Sequence, residues 1–229
     1  MKLDPCLVAY FERLQRGTDD QTLRKRLLRG LSASGKDQDN VLNLVVEGMQ
    51  RLKDSMHENH PNARHVLTTP EGLPMGQRLT KSILHEIVGL AEKNICIAGF
   101  AITGQSGLIA LIAERMRERP FLKARFLCSN WEQNDGQGSV DTIRETWPKD
   151  LRKPEIYRQT KDFSGSIMHI KTVITDDTRM IIGSANFTKA GLNKNLELGI
   201  LLEGPFVAKV SGTLADLAKS PFFEKVRLT

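Results

Sequence analysis

The spacing of apolar residues changes its character near residue 60. Between residues 7 and 53 apolar side chains recur at intervals of three and four, which predicts two or three amphipathic helices. Residues 54–64 are mostly polar or charged and include Pro61, so they are predicted to form a linker. We therefore predict an N-terminal helical region with its linker at residues 1–60 and a second domain at residues 61–229.

From residue 80 onward, helical and strand-like patterns alternate. Short apolar, β-branched runs predict strands at residues 95–102, 122–128, 156–158, 168–175, 179–182 and 196–202. Periodic segments predict helices at residues 80–93, 108–117, 140–147 and 207–217. Asp176 and Asp177 lie between two of the strands and predict a turn. Such alternation predicts an α/β fold with helices on both faces of a sheet.

The composition indicates a globular protein with an excess of positive charge. The chain has 33 Lys and Arg against 27 Asp and Glu, a net charge of +6, which favours an anionic partner without identifying it. Its three cysteines are widely spaced, as is typical of a reduced, intracellular compartment. The N-terminus lacks the apolar core of a signal peptide, and no apolar run approaches the roughly 20 residues that cross a bilayer. We therefore expect a cytoplasmic protein that does not bind a membrane.

One segment carries polar side chains at intervals suited to phosphate chemistry. His169 and Lys171 are two residues apart, and residues two apart on a strand share a face, so a nucleophile and a cation are predicted to lie side by side. Further along, Ser184 and Asn186 offer neutral polar groups to phosphate oxygens. Glu197 is a carboxylate in an otherwise apolar strand, and a buried charge of this kind needs a partner.

With Asp176 and Gly183 included, this segment resembles the HxKxxxxDxxxxxxGSxN signature of the phospholipase D superfamily. The family's downstream Asn-x-Glu matches residues 195–197, and the resemblance extends over residues 80–203. The full spacing arises by chance in roughly one in 10⁵ chains of this length. An ordinary β-hairpin with an exposed His and Lys explains each residue singly but not their joint spacing. A catalytically inactive family member explains all of them.

The resemblance implies the mixed, phospholipase-D-like sheet and a histidine that attacks phosphorus to give a phosphohistidine. It implies no metal ion and no other cofactor. The implied catalytic positions are the nucleophile His169, the phosphate-binding Lys171, the motif's Asp176, which is expected to be structural, and Glu197, which orients the histidine. Ser184 and Asn186, together with Lys171, are the implied substrate-binding residues.

The family's active site uses two such motifs, because a second histidine protonates the leaving group. No other histidine of this chain has a lysine two residues later. The resemblance therefore implies a homodimer with a composite active site, since a two-fold interface repeats one surface patch on both subunits.

The function that these features favour is a nuclease acting on DNA or RNA. A phospholipid hydrolase or transferase is the alternative within enzymes, and a catalytically idle nucleic-acid-binding or assembly subunit is the alternative outside them. The length, the helical N-terminus, residues 68–72 and the single motif also resemble the phospholipase-D-like component of bacterial DISARM antiphage systems, which implies defence-system partner proteins. Trp131 lies in a polar stretch that predicts a loop, where it either stacks on a base or is an ordinary loop side chain.

Overall fold

A computed structural model of the chain describes Thr22, Lys25 and residues 62–70, 79–132, 136–161 and 165–228. The chain divides into two units, residues 1–59 and residues 60–229, and the elements described below belong to the second unit. Apart from Thr22 and Lys25, the helical region predicted for residues 1–60 lies outside the described residues.

Strands and helices alternate through most of the second unit. The strands are β1 (Asn62–Thr68), β2 (Asn94–Gly99), β3 (Lys123–Cys128), β4 (Glu155–Gln159), β5 (Lys171–Thr175), β6 (Arg179–Gly183), β7 (Glu197–Glu203) and β8 (Phe223–Val226). The helices are α1 (Thr80–Gly89), α2 (Leu108–Glu118), α3 (Ser139–Thr146), α4 (Lys189–Asn193) and α5 (Phe206–Lys219), with a 3-10 turn at Gly104–Ser106.

The strands form one eight-stranded mixed sheet in the order β1-β7-β6-β5-β2-β3-β4-β8. β2, β3 and β4 are parallel neighbours, and each is connected to the next through a helix. The remaining pairs are antiparallel. The predicted α/β fold with a mixed sheet is therefore confirmed.

Apolar side chains pack on both faces of the sheet, because successive residues of a strand point to opposite sides. On one face, Val173 of β5 belongs to a cluster with Ile87 of α1 and Ile112 of α2. On the other face, Ile174 packs in a second cluster with Leu214 of α5. Burying each such side chain contributes about 1.5–3 kcal/mol. Helices thus cover both faces, as predicted.

The edge strands differ most from the sequence-based prediction. The linker predicted over residues 54–64 ends earlier, because Asn62–Thr68 form β1. This strand lies at one edge of the sheet, and its first four residues are exposed, so it lacks the apolar alternation that would have revealed it. β8, at the other edge, has only four residues and was missed for the same reason.

The α1–α5 helices are all short, and none within the described parts of the chain is both long and apolar enough to cross a membrane.

Candidate active site

All motif residues except Asp176 lie at one end of the central strands, where β2 and β6 end and β5 and β7 begin. Gly99 pairs with Lys171, and Gly183 pairs with Gly199. A Cβ atom placed on Gly183 would lie 2.7 Å from the Gly199 Cα atom and 2.7 Å from the Leu198 carbonyl oxygen. The motif glycine therefore allows β6 and β7 to approach closely just before Ser184.

His169 lies in the loop that enters β5 and not on the strand itself. The predicted strand began at residue 168, whereas β5 begins at Lys171. The reason is that its neighbour β2 ends at Gly99. The last backbone contact between the two segments is the Phe100 N–H, which donates to the Ile170 carbonyl oxygen at 3.0 Å, so His169 has no strand to pair with. The exposed imidazole is consequently presented at the rim of the sheet.

The Lys171 side chain nevertheless reaches His169. Its Nζ lies 3.1 Å from Nδ1 and 3.2 Å from Nε2 of the imidazole, and it donates to the His169 carbonyl oxygen at 3.1 Å. The structure thus brings together His169, the expected nucleophile, and Lys171, the expected phosphate-binding cation.

Lys171 is buried, with 7% of its surface exposed. Burial lowers the pKa of its ammonium below the usual value for lysine, and the nearby Glu197 carboxylate partly opposes this effect. A positive charge that is poorly hydrated in this way interacts more strongly with an incoming phosphate than a surface lysine would.

Phe100 supports both members of this pair, and it was not singled out from the sequence. Its ring centroid lies 4.7 Å from that of His169, and Lys171 Nζ lies 5.4 Å from the Phe100 centroid. The available signal was an aromatic residue within the first apolar run, residues 95–102, but this position has no place in the motif.

Glu197 is held by two polar side chains. Ser184 Oγ donates to its Oε2 at 2.5 Å, and Asn195 Nδ2 donates to its Oε1 at 2.9 Å. Among the described residues no hydrogen bond joins Glu197 to His169 of the same chain. The Ser184 hydroxyl, which was expected to contact phosphate, therefore donates a hydrogen bond to Glu197. Glu197, which was expected to orient the histidine, lies at the start of β7.

Asn186 has a buried Oδ1 atom with no hydrogen-bond partner among the described residues. A buried polar atom is normally paired, and rotation of the amide would place Nδ2, a donor suited to a phosphate oxygen, in the same position. The backbone of Asn186 packs against Gly191 of α4, where a Cβ atom would lie 2.2 Å from the Asn186 carbonyl oxygen. Gly191 thus helps to set the position of Asn186, which sequence reasoning did not foresee.

Asp176 lies at the opposite end of β5 from Lys171, in the turn before β6. Its carboxylate accepts from the backbone N–H groups of Glu92, Lys93 and Asn94 at 2.7–3.1 Å. Asp176 and Asp177 both have positive φ, 53° and 58°, as the predicted turn requires. This motif residue therefore joins two loops of the fold at a distance from the other motif side chains.

One family model matches the segment that holds these residues. The family model described as "Cardiolipin synthase, PLD-like domain" matches residues 84–217, more than half of the chain. The chain belongs to the phospholipase-D-like family. The DISARM protein DrmC of Bacillus paralicheniformis is similar to this chain. The two are 25% identical over 175 residues, which cover 75% of this chain and 70% of DrmC.

Solved structures of the phospholipase-D-like fold are similar to this one. A phospholipase D family member, Nuc, from Salmonella typhimurium matches with a TM-score of 0.53 and 17% identity over 73% of this chain and 99% of its own. NucT from Helicobacter pylori matches with a TM-score of 0.53 and 19% identity over 69% of this chain and 98% of its own. Phosphatidylserine synthase from Haemophilus influenzae matches with a TM-score of 0.56 and 10% identity over 73% of this chain and 40% of its own. At these identities the likeness shows the fold.

Proposed function

We propose that this chain is a metal-independent phosphodiesterase that cleaves DNA or RNA through a phosphohistidine at His169. The observation that carries the proposal is the contact of the buried Lys171 ammonium with the exposed His169 imidazole, in a chain of the phospholipase-D-like family. Lys171 supplies the positive charge that a metal ion supplies in other phosphodiesterases, so no divalent ion is required for charge stabilisation.

In the first step an imidazole nitrogen of His169 attacks phosphorus. The N–P bond forms as the P–O bond to the leaving nucleotide breaks, and the negative charge on the phosphoryl oxygens is stabilised by Lys171 and by the amide of Asn186. In the second step water attacks the phosphohistidine, the N–P bond breaks, and the phosphate product leaves.

A second acid–base group must protonate the leaving oxygen and later accept a proton from the water. In the proposed enzyme this group is His169 of the partner subunit, and the active site lies across the two-fold axis of a homodimer. The Glu197 carboxylate, which does not bond to His169 of its own chain within the described residues, is then available to the imidazole of the partner.

An exposed apolar surface beside the site supports a dimer. It consists of Ile182, Leu196, Leu198 and Ile200, which are 39%, 67%, 60% and 43% exposed. Leu198 and Ile200 alternate with Glu197 along β7 and point to the opposite face of the sheet, and Ile182 pairs with Ile200 two residues before Ser184. The surface therefore lies at the same end of β6 and β7 as the site. Because exposed apolar patches next to polar sites mark interaction surfaces, a second copy docked here would lie beside the site that needs it.

Leu198→Asp tests this surface. We expect the variant to sediment as a monomer and to lose activity. Phe121→Asp should behave as the wild type, because Phe121 is 89% exposed and lies just before β3, at the opposite end of the strands from the site. A wild-type monomer, or a fully active Leu198→Asp monomer, would contradict a dimer built on this surface.

Nucleic acid is the proposed substrate because the chain carries a net charge of +6 and resembles DrmC, a protein of the DISARM system. On this basis the enzyme acts in antiphage defence, together with defence-system partner proteins. The purified chain should cleave labelled DNA or RNA in the presence of EDTA, and His169→Ala should not. Cleavage of phospholipids alone would favour a lipid hydrolase or transferase, and nucleic-acid binding without any turnover would favour an idle binding subunit.

A further inference from the structure

Trp131 lies beside the site on the loop that follows β3. Phe100 connects it to the nucleophile, since the Phe100 ring centroid is 5.5 Å from that of Trp131 and 4.7 Å from that of His169. The two distances place the Trp131 ring within about 10 Å of the imidazole. A base of a nucleotide that adjoins the scissile phosphate can reach across this distance.

The position of Trp131 is set by a buried serine. Ser129, which is 2% exposed, donates from Oγ to the Phe100 carbonyl oxygen at 2.5 Å, and the same Oγ accepts from the Trp131 N–H at 3.0 Å. The tryptophan is therefore held in register with Phe100, and such support pre-organises a binding surface.

The chain's two tryptophans differ in burial. Trp147 is 5% exposed and packs edge-on against Phe126, with the ring centroids 6.2 Å apart. Trp131 is only partly buried and leaves part of its ring open to solvent. A half-exposed indole next to a reactive histidine is placed to contact a ligand.

Trp131 also lines two clefts that differ in charge. The larger, of about 650 Å³, is lined by Lys189 and Lys194 and begins at Thr188, two residues after Asn186. The smaller, of about 340 Å³, is lined by Arg158 and Lys161 but also by Glu132, Asp141 and Glu224, and Arg158 Nη2 pairs with Glu224 Oε1 at 2.6 Å. The larger cleft, whose lining also includes Glu145, thus has an excess of cationic side chains beside the indole, as a groove for a polyanionic strand does.

We propose that Trp131 is the stacking platform for the base next to the scissile phosphate, and that the strand lies along the larger, lysine-lined cleft beside it. This inference rests on the proposed nuclease function and narrows its substrate. A base can stack on the indole only if it is not paired and stacked within a duplex, so the substrate is single-stranded DNA or RNA. Sequence preference should be small, because every base can stack.

Cleavage assays with three substrates test the proposal. Trp131→Ala should lower kcat/KM for a single-stranded oligonucleotide roughly 10-fold or more, and Trp131→Phe should retain most of it. Both variants should hydrolyse methyl p-nitrophenyl phosphate, a diester without a base, as the wild type does, and duplex should be a poor substrate throughout. Phe121→Ala, an exposed aromatic residue away from the site, is the matched control and should change none of these rates.

Binding provides a readout that does not depend on turnover. In the His169→Ala chain a single-stranded oligonucleotide should quench the Trp131 fluorescence, and the same oligonucleotide with abasic positions should not. Equal loss of activity on the oligonucleotide and on methyl p-nitrophenyl phosphate in Trp131→Ala would overturn the proposal, because Trp131 would then support the site only structurally. Absence of quenching would overturn it as well, whether or not the chain cleaves nucleic acid. Failure of the wild type to cleave any diester would instead contradict the proposed function.

Discussion

Gly191→Ala should disable the active site without contacting the substrate. Gly191 lies in α4, and a Cβ atom at this position would lie 2.2 Å from the carbonyl oxygen and 3.0 Å from the amide nitrogen of Asn186. These atoms must separate by about 1 Å to reach van der Waals distance, so Asn186 must move or α4 must shift.

Two magnitudes follow from this displacement. Overpacking of this kind costs about 1–3 kcal/mol, which lowers the melting temperature of a chain of this size by several degrees at roughly 2–4 °C per kcal/mol. A displacement of about 1 Å in a phosphate-binding side chain costs on the order of 10²-fold in rate. The loss of activity should therefore be much larger than the loss of folded protein at 25 °C.

Gly212→Ala is the matched control. Gly212 also lies in a helix, α5, but a Cβ atom there meets nothing within 4 Å. Replacing a helical glycine by alanine stabilises by about 1 kcal/mol, so this variant should melt slightly higher and keep its activity. The two variants are compared by thermal unfolding and by kcat/KM on a labelled oligonucleotide. Wild-type kcat/KM in folded Gly191→Ala would contradict the expected displacement of Asn186.

Three further predictions concern the motif side chains. Because burial lowers the pKa of Lys171, the rate should fall on the alkaline side of the pH–rate profile at a lower pH than an ordinary lysine would give. The free energy of unfolding should rise with pH between the folded and unfolded pKa values of Lys171, because the unfolded chain binds the proton more tightly there. Lys171→Arg should remove both effects. Glu197→Gln should leave the melting temperature within a few degrees but slow turnover about 10-fold or more, since the amide can accept from Ser184 or Asn195 but cannot carry the negative charge. Asp176→Asn should cost about 1–3 kcal/mol in thermal unfolding while kcat/KM per folded chain stays near the wild-type value; a reduced kcat/KM in fully folded protein would show that Asp176 acts in the reaction.

The central strands were predictable because both of their faces are buried. β2 and β3 are short apolar runs between helical segments, and the turn at Asp176 is marked by two residues that tolerate positive φ. The edge strands β1 and β8 were not predictable, because exposed edges carry polar side chains that resemble a loop.

In the site, local spacing identified the motif but not the contacts between distant residues. The carboxylate of Asp176 accepts from amides at residues 92–94, more than 80 positions earlier, and no pattern along the chain records this. The same holds for Phe100 against His169, since the two residues meet only when β2 and β5 pair. The expected position of His169 on a strand was wrong because strand length depends on where the neighbouring strand ends.

A mixing experiment tests the composite active site most directly. Wild-type and His169→Ala chains are refolded together in equal amounts, so that random pairing gives about one quarter wild-type dimers, one half mixed dimers and one quarter mutant dimers. Mixed dimers lack either the nucleophile or the acid, so the activity per wild-type chain should fall to roughly half. Activity per wild-type chain that stays constant, or full activity in a monomer shown by sedimentation, would contradict a site built from His169 of both subunits.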